Sequence, residues 1–374
     1  MNVPSAPVDR ILRLQRGWQY YSTPEGVELA SIIVQDRLRI RGKHEQLDIL
    51  LATLRDGVPV DTVAEELAAR SGYPVASVRR LLQQLWEHNA LVETPHLVMD
   101  LDNLYDRQIR FLSAFETTDT SGIALNARLQ DRTVLIVGMG GYGTWLALLC
   151  ARMGIRRIIA IDPDHVETSN LSRQILYTRH DVGSLKVDAC KRALADVDDA
   201  VSFEGHPVRI ASAEDLIPYL DGVDLTLNSF GYIPNYVLES IALASGRAGV
   251  PSLLLGASWV GPLTIPGETA CYYCLMSHKG VADVVKASMA QFATATPDRP
   301  IGAFVPRMAI TASLAIWEAV LFLTSIMRTP TLDGVVTYDF FQSRRQTLIP
   351  IPRNEECEVC RHWSHTDPAG RCHE

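Results

Sequence analysis

Seven cysteines occur among the 374 residues, and four of them form two CxxC pairs, Cys271-Tyr-Tyr-Cys274 and Cys357-Glu-Val-Cys360. Four thiolates suit tetrahedral Zn²⁺ and leave no open position for a catalytic water, so the metal this set predicts is structural. Joining the pairs closes a loop of roughly 80 residues, which would pin the C-terminal segment to the body of the fold. Neither pair opens a helix after a strand, which argues against thioredoxin-like redox chemistry. Cys150 and Cys190 fall in helical patterns as apolar side chains, and Cys372 lies in a polar tail. No further cysteine stands out as a nucleophile.

A second set centres on Gly138-Met-Gly-Gly-Tyr-Gly143, which closes the apolar run Thr133 to Val137. With side chains missing at Gly138, Gly140, Gly141 and Gly143, the backbone can approach phosphates, and the helix that follows offers free N–H donors and a positive dipole end. Asp162 ends the next strand pattern 19 residues past Gly143, where a dinucleotide fold keeps an acid for ribose hydroxyls. These features alone would fit an NAD-dependent oxidoreductase. The stretch that follows, Asp162-Pro-Asp-His-Val-Glu-Thr-Ser-Asn-Leu-Ser-Arg-Gln174, argues otherwise.

The elements that must position these groups alternate. Strand patterns at Thr133 to Val137, Arg157 to Ile161, Ala200 to Glu204, Asp224 to Leu227 and Ser252 to Leu255 are interleaved with helical patterns at Tyr142 to Met153, Leu185 to Ala195 and Tyr236 to Arg247. That order predicts an α/β fold with a Rossmann-like, doubly wound, mainly parallel sheet. The first hundred residues differ. Short β-prone runs at Trp18 to Tyr21, Val27 to Val34 and Arg37 to Arg41 precede helical patterns at Gln46 to Leu54, a second helix capped by Asp61, and Val75 to His88. Three strands with three short helices describe a winged-helix-like domain, placed at residues 1–95, ahead of a nucleotide domain at 96–374.

The stretch from Asp162 to Gln174 resembles the signature of the ubiquitin-activating-type, ThiF/MoeB-like adenylyltransferases, the superfamily of the molybdopterin- and thiamine-pathway enzymes. The resemblance extends to Tyr105-Asp-Arg-Gln108, Asp181-Val-Gly-Ser-Leu-Lys186, Gly249-Val-Pro251 and both CxxC pairs, covering about residues 103–362. It implies that Arg173 and Lys186 lie beside the phosphates of ATP, and that Asn170 and Gln174 position nucleotide and substrate. It also implies that Arg107 reaches into the partner subunit's site of a homodimer. Such cations would neutralise the charge that builds as an acyl oxygen attacks the α-phosphate and pyrophosphate leaves. One position departs from the pattern. The family's magnesium-holding aspartate is expected where this chain reads Ser229, Phe230 or Gly231, with Asn228 nearby. A neutral ligand holds Mg²⁺ less well than carboxylate does, which leaves Asp162 and Asp164 as the nearby carboxylates.

The front domain sets the expected partner. Its arrangement is similar to the microcin C and pantocin-type peptide-modifying enzymes, whose leader-recognition domain grips a ribosomal precursor peptide. A winged helix also suits DNA, and Val78-Arg-Arg80 offers a basic helix, but Glu45, Asp48, Asp61, Glu65, Glu66 and Glu87 interrupt any phosphate-binding stripe. The net charge of −8 likewise implies no general affinity for nucleic acid. Peptide capture by an edge strand beside a helical groove is favoured over plain packing. The start has no charged region followed by an apolar core, no apolar run approaches 20 residues, and the cysteines form no secreted framework. No membrane association and a reducing cytoplasm are expected. Two functions stay open: an enzyme that activates a precursor peptide, and a non-catalytic leader-binding scaffold, with a sulfur-carrier-protein adenylyltransferase behind both.

Overall fold

The computed structural model describes residues 10–31, 36–95, 103–229, 235–278, 302–338, 340 and 346–363. The chain divides into two compact units, Met1–Arg128 and Leu129–Glu374.

In the first unit, β1 (Arg10–Leu14), β2 (Trp18–Thr23), β3 (Gly26–Ser31) and β4 (Arg37–Arg41) are followed by α1 (His44–Asp56), β5 (Val58–Pro59), α2 (Val63–Ser71), α3 (Val75–Glu87) and β6 (Leu91–Pro95). Two small antiparallel sheets result, in the orders β2-β3-β4 and β5-β1-β6. β4 alternates strictly: Leu38 and Ile40 enter the core while Arg37, Arg39 and Arg41 face solvent. Leu47, Leu50, Leu51 and Leu54 recur at helical spacing along α1 and are all buried, meeting Val27 and Leu29 of β3, Leu67 of α2 and Leu85 of α3 in one core. Gly72 ends α2 in the left-handed region (φ 74°), with its N–H bonded to Ala68 O at 2.9 Å. Past β6, α4 (Asp106–Leu112) and α5 (Gly122–Gln130) complete the described elements up to the boundary.

Sequence periodicity marks β2, β3, β4 and all three front helices, but it misses β1, β5 and β6. β5 has two residues, and β1 and β6 pair across about 80 positions, so their signal is tertiary. Asp61 does not cap α2. It lies in a 3₁₀ turn, Val60–Thr62, and Thr62 precedes the helix without a side-chain cap.

The second unit holds β7 (Thr133–Val137), α6 (Gly141–Arg152), β8 (Arg157–Ile161), α7 (Lys186–Ala195), β9 (Ser202–His206), β10 (Leu225–Ser229), α8 (Asn235–Ala248) and β11 (Ser252–Leu255). They are followed by β12 (Trp259–Thr264), α9 (Tyr272–Ser277), α10 (Val305–Thr324), β13 (Gly334–Tyr338) and β14 (Gln346–Pro350). One eight-stranded sheet runs β14-β13-β12-β11-β10-β7-β8-β9. The five strands from β11 to β9 are parallel, and β12, β13 and β14 extend the sheet antiparallel. Every residue of β7 is buried, as expected of a central strand covered on both faces.

The apolar-run expectation needs correction at α10. This helix is long and apolar enough to cross a membrane by length and composition, with a mean hydropathy of 1.4. Its 18-residue apolar window is 61% buried inside the second unit, where it packs on α6, β11 and β12. Glu318 on this helix is buried and accepts hydrogen bonds from the Thr329 and Thr331 hydroxyls.

Candidate active site and metal centre

β7 has β8 on one side and β10 on the other, so strand order reverses at its C-terminal end. That crevice is where open α/β sheets receive ligands. The glycine turn occupies it. Gly138 takes φ 89° and donates its N–H to Ile161 O at 2.8 Å, which bends the chain across the end of β8. A Cβ on Gly143 would run into Gly138 O, so glycine is required there for helix and turn to touch. Gly140 differs. A Cβ there would meet nothing nearer than Gln174 Nε2 at 3.9 Å, which leaves an open approach to the start of α6. Gly141 is crowded instead by Met308 and by Cγ of Arg173.

Asp162 sits at the tip of β8 and braces the turn from below. Its two carboxylate oxygens accept the backbone N–H groups of Met139 (2.7 Å) and Asp164 (2.9 Å). Lys186, the first residue of α7, lies 3.7 Å from Asp162 and 2.9 Å from Asp164. Arg209 adds a more distant cation, 3.9 Å from Asp164. Burial pushes the Asp162 carboxyl up, and Lys186 and the two N–H bonds pull against that. Lys186 is thus a buried ammonium beside the turn, held by two carboxylates, of which Asp162 fixes the turn.

The segment between β8 and α7 carries the remaining residues. Asn170 closes a 3₁₀ turn, its Oδ1 accepting the Glu167 N–H at 3.1 Å. Arg173 bonds Ser169 O at 2.8 Å and stays partly exposed. Gln174 is buried, and its Oε1 has no hydrogen-bond partner among the described residues. Tyr177, which the sequence did not single out, donates its hydroxyl to Met139 O at 2.8 Å and locks the turn from the far side. The structure therefore gathers the glycines, Asp162, Asp164, Asn170, Arg173, Gln174 and Lys186 at one crevice.

At the tip of β10, Asn228 is fully buried, with Nδ2 on Thr226 Oγ1 at 3.4 Å and Oδ1 without a partner among the described residues. Phe230 and Gly231 lie outside the described residues, as does the side chain of Ser229. Asp162 and Asp164 are the carboxylates beside the turn. An open backbone approach, a buried ammonium and two orphaned amide oxygens together fit a nucleotide with its phosphates at Gly140.

The four paired cysteines converge. Sulfur atoms of Cys271 and Cys274 lie 3.8 Å apart, Cys271 and Cys357 3.8 Å, and Cys274 and Cys360 3.6 Å. Zinc–sulfur bonds of about 2.3 Å at the tetrahedral angle separate sulfurs by roughly 3.8 Å, so the set fits Zn²⁺. All four are buried, and Trp259, Val335 and Ile351 surround them. Donation from the Cys271 thiol, with the Asn354 N–H, lowers Cys274 to about 5; the same contact raises Cys271, and burial raises Cys360 to about 11. Cys150 and Cys190 are fully buried single thiols, both pushed up to about 12 by burial. Cys372 is outside the described residues.

Arg107 belongs to the first unit. It is on α4 with its side chain 95% exposed, while its neighbour Asp106 is buried and bonds Arg110 Nε with both oxygens at 2.9 and 3.0 Å. The same unit carries a groove of about 520 Å³ between β4, α1 and α3, lined by Ile40, Arg41, Leu47, Tyr73, Val78, Arg80 and Glu87 among others.

Fold and site define a nucleotide-binding α/β protein with a four-cysteine cluster that could hold a metal ion. The ThiF family matches residues 105–359, more than half the chain, and the chain belongs to that family. That family is one of ATP-dependent adenylyltransferases of the ThiF/MoeB type. A sulfur carrier protein adenylyltransferase of Thermus thermophilus is 29% identical over 243 residues, covering 62% of this chain and 83% of its own. Among solved structures, MccB of E. coli with AMPCPP and MccA superposes with a TM-score of 0.76 at 20% identity, over 94% of this chain and 99% of that one. PaaA superposes at 0.59 and 24% identity, over 74% of this chain and 92% of its own. The two superpositions speak to fold.

Proposed function

We propose that this chain activates a carbonyl or carboxylate oxygen of a ribosomally made precursor peptide, by adenylation or by phosphorylation, in the biosynthesis of a peptide natural product. The observation that supports it most is the extent of the likeness to MccB. It runs over 94% of the chain, front unit included, and that protein was solved with MccA bound.

In this reading, residues 1–95 form a winged-helix-like leader-recognition domain and residues 96–374 the adenylyltransferase. β4 is the edge of its sheet among the described residues and borders the groove, so an extended leader can add a strand there while α3 supplies side-chain pockets. Tethering raises the local concentration of the reacting residue at the nucleotide site.

In adenylation ATP would supply the α-phosphorus that the peptide oxygen attacks, with pyrophosphate leaving; in phosphorylation it would supply the γ-phosphorus, with ADP leaving. The chain's own part is positional and electrostatic: Gly138, Gly140, Gly141 and Gly143 admit the phosphates, Asp162 and Asp164 take ribose and Mg²⁺, and Asn170 and Gln174 orient the reactants. Arg173, Lys186 and Arg107 from the partner of a homodimer balance the developing charge. The four cysteines hold structural Zn²⁺. A reducing cytoplasm and no nucleic-acid partner complete the reading.

The missing magnesium-holding aspartate, expected where this chain reads Ser229, Phe230 or Gly231, favours a second reading as a non-catalytic leader-binding scaffold. The Thermus relative favours a third, adenylation of a sulfur-carrier protein. Titrating the protein with peptides encoded beside its gene tests the first. Leader binding that survives Lys186→Ala and is lost with Arg80→Glu supports it; tight duplex-DNA binding without peptide binding contradicts it.

A further inference from the structure

Besides Gln174 Oε1 and Asn228 Oδ1, a third buried polar atom near the glycine turn has no hydrogen-bond partner among the described residues: the Tyr142 hydroxyl. Tyr142 is only 3% exposed and belongs to the first turn of α6. Beside it lies Arg307, in the first turn of α10, with its Nε buried and equally unpartnered. Burial pushes the Tyr142 hydroxyl up, and the neighbouring Arg307 guanidinium opposes that shift through its charge and a side-chain contact that falls short of a full hydrogen bond.

The position of this pair is fixed by packing. Met308, next in sequence to Arg307, presses on Gly141, and Cγ of Arg173 approaches the same point. The start of α10 therefore meets the start of α6, and two positive helix ends flank Arg307. No ion pair of Arg307 occurs among the described residues. A part-buried guanidinium without a carboxylate is costly to keep, and an arriving anion relieves that cost. The phosphates are the only anionic groups of a nucleotide; a ribose or a base needs neither a guanidinium nor two helix ends.

We propose that Arg307 and the Tyr142 hydroxyl form a binding site for the β- and γ-phosphate oxygens of the nucleotide. They join Arg173 and Lys186 around the turn, and Arg307 offsets phosphate charge that a metal held by carboxylates would otherwise meet alone. The inference rests on the glycine turn being the ATP site.

Calorimetric titration of the full chain with AMPCPP and with AMP tests it. Arg307→Met is expected to weaken AMPCPP binding by ~10- to 100-fold and AMP by less than about threefold, as for loss of one charge-assisted bidentate contact. Arg307→Lys recovers part of the loss, and Tyr142→Phe weakens AMPCPP by a few fold, roughly the value of one hydrogen bond. Unchanged AMPCPP affinity in Arg307→Met, or equal loss of AMP affinity, overturns the proposal. Should Arg307→Met not fold, wild-type AMPCPP affinity in both Arg307→Lys and Tyr142→Phe overturns it. A wild type that binds neither nucleotide defeats the ATP-site reading itself, which separates the two failures.

Discussion

Arg13 of β1 and Glu116, four residues past α4, form a buried ion pair. The second oxygen of Glu116 accepts the Gly122 N–H at 2.8 Å, Gln15 donates to Ala114 O, and Arg10 donates to Thr118 O at 3.2 Å. β1 is thereby fastened to the whole segment that follows α4, the helix bearing Arg107. The family match begins at residue 105, yet the compact unit runs on to Arg128. The arginine that the family resemblance assigns to the partner's site is built into the front unit.

Breaking that pair while leaving one charge buried should be severe. Glu116→Gln or Arg13→Met is expected to cost ~3–5 kcal/mol of stability in the first unit. Hydrogen exchange should report it as lost protection in β1 and α4, with the sheet from β7 to β9 unaffected.

The metal centre predicts about one zinc per chain, measurable by elemental analysis of protein purified without chelator. Zinc must displace the protons that hydrogen bonding and burial hold on Cys271 and Cys360, whereas Cys274, lowered to about 5, is already a thiolate at neutral pH. Affinity should therefore fall as pH drops, by more than about tenfold per unit, because more than one thiol proton must leave. Replacing one cysteine should lower stability without altering nucleotide affinity selectively.

Two glycines of the turn should separate folding from binding. Gly143→Ala places a methyl into Gly138 O and is expected to destabilise by several kcal/mol on the overpacking scale. Gly140→Ala meets open space, so its melting temperature should stay near wild type while nucleotide affinity drops by about tenfold or more. Equal melting temperatures for the two variants would contradict the geometry.

Much of this was legible in sequence, and particular residues show why. Thr133 to Val137, Arg157 to Ile161 and Ser252 to Leu255 match the strands residue for residue, because buried parallel strands read as continuous apolar runs. The crevice followed from the glycine turn and from Asp162, whose spacing is local. The Tyr177 lock on the turn and the closeness of Arg307 to Tyr142 were invisible, since each is a contact between elements distant in sequence. β12 to β14 were missed for the same reason: an antiparallel extension has no crossover helix to announce it.

Arg173→Ala or Lys186→Ala should reduce turnover by roughly 10²–10⁴-fold with leader binding intact, because the lost charges act on the phosphates. Mixing an Arg107→Ala chain with an Arg173→Ala chain then tests subunit exchange. A mixed dimer regenerates one complete site, so activity should return on mixing; persistent inactivity would place Arg107 outside its partner's site.

Pyrophosphate exchange into ATP, measured with magnesium and peptides encoded beside the gene, tests the central claim most directly. Adenylation of a precursor peptide predicts exchange that depends on that peptide and is absent with a sulfur-carrier protein. A peptide that binds the protein yet supports neither exchange nor ATP consumption would contradict the account. The aspartate missing from Ser229, Phe230 or Gly231 would then mark this chain as a leader-binding scaffold.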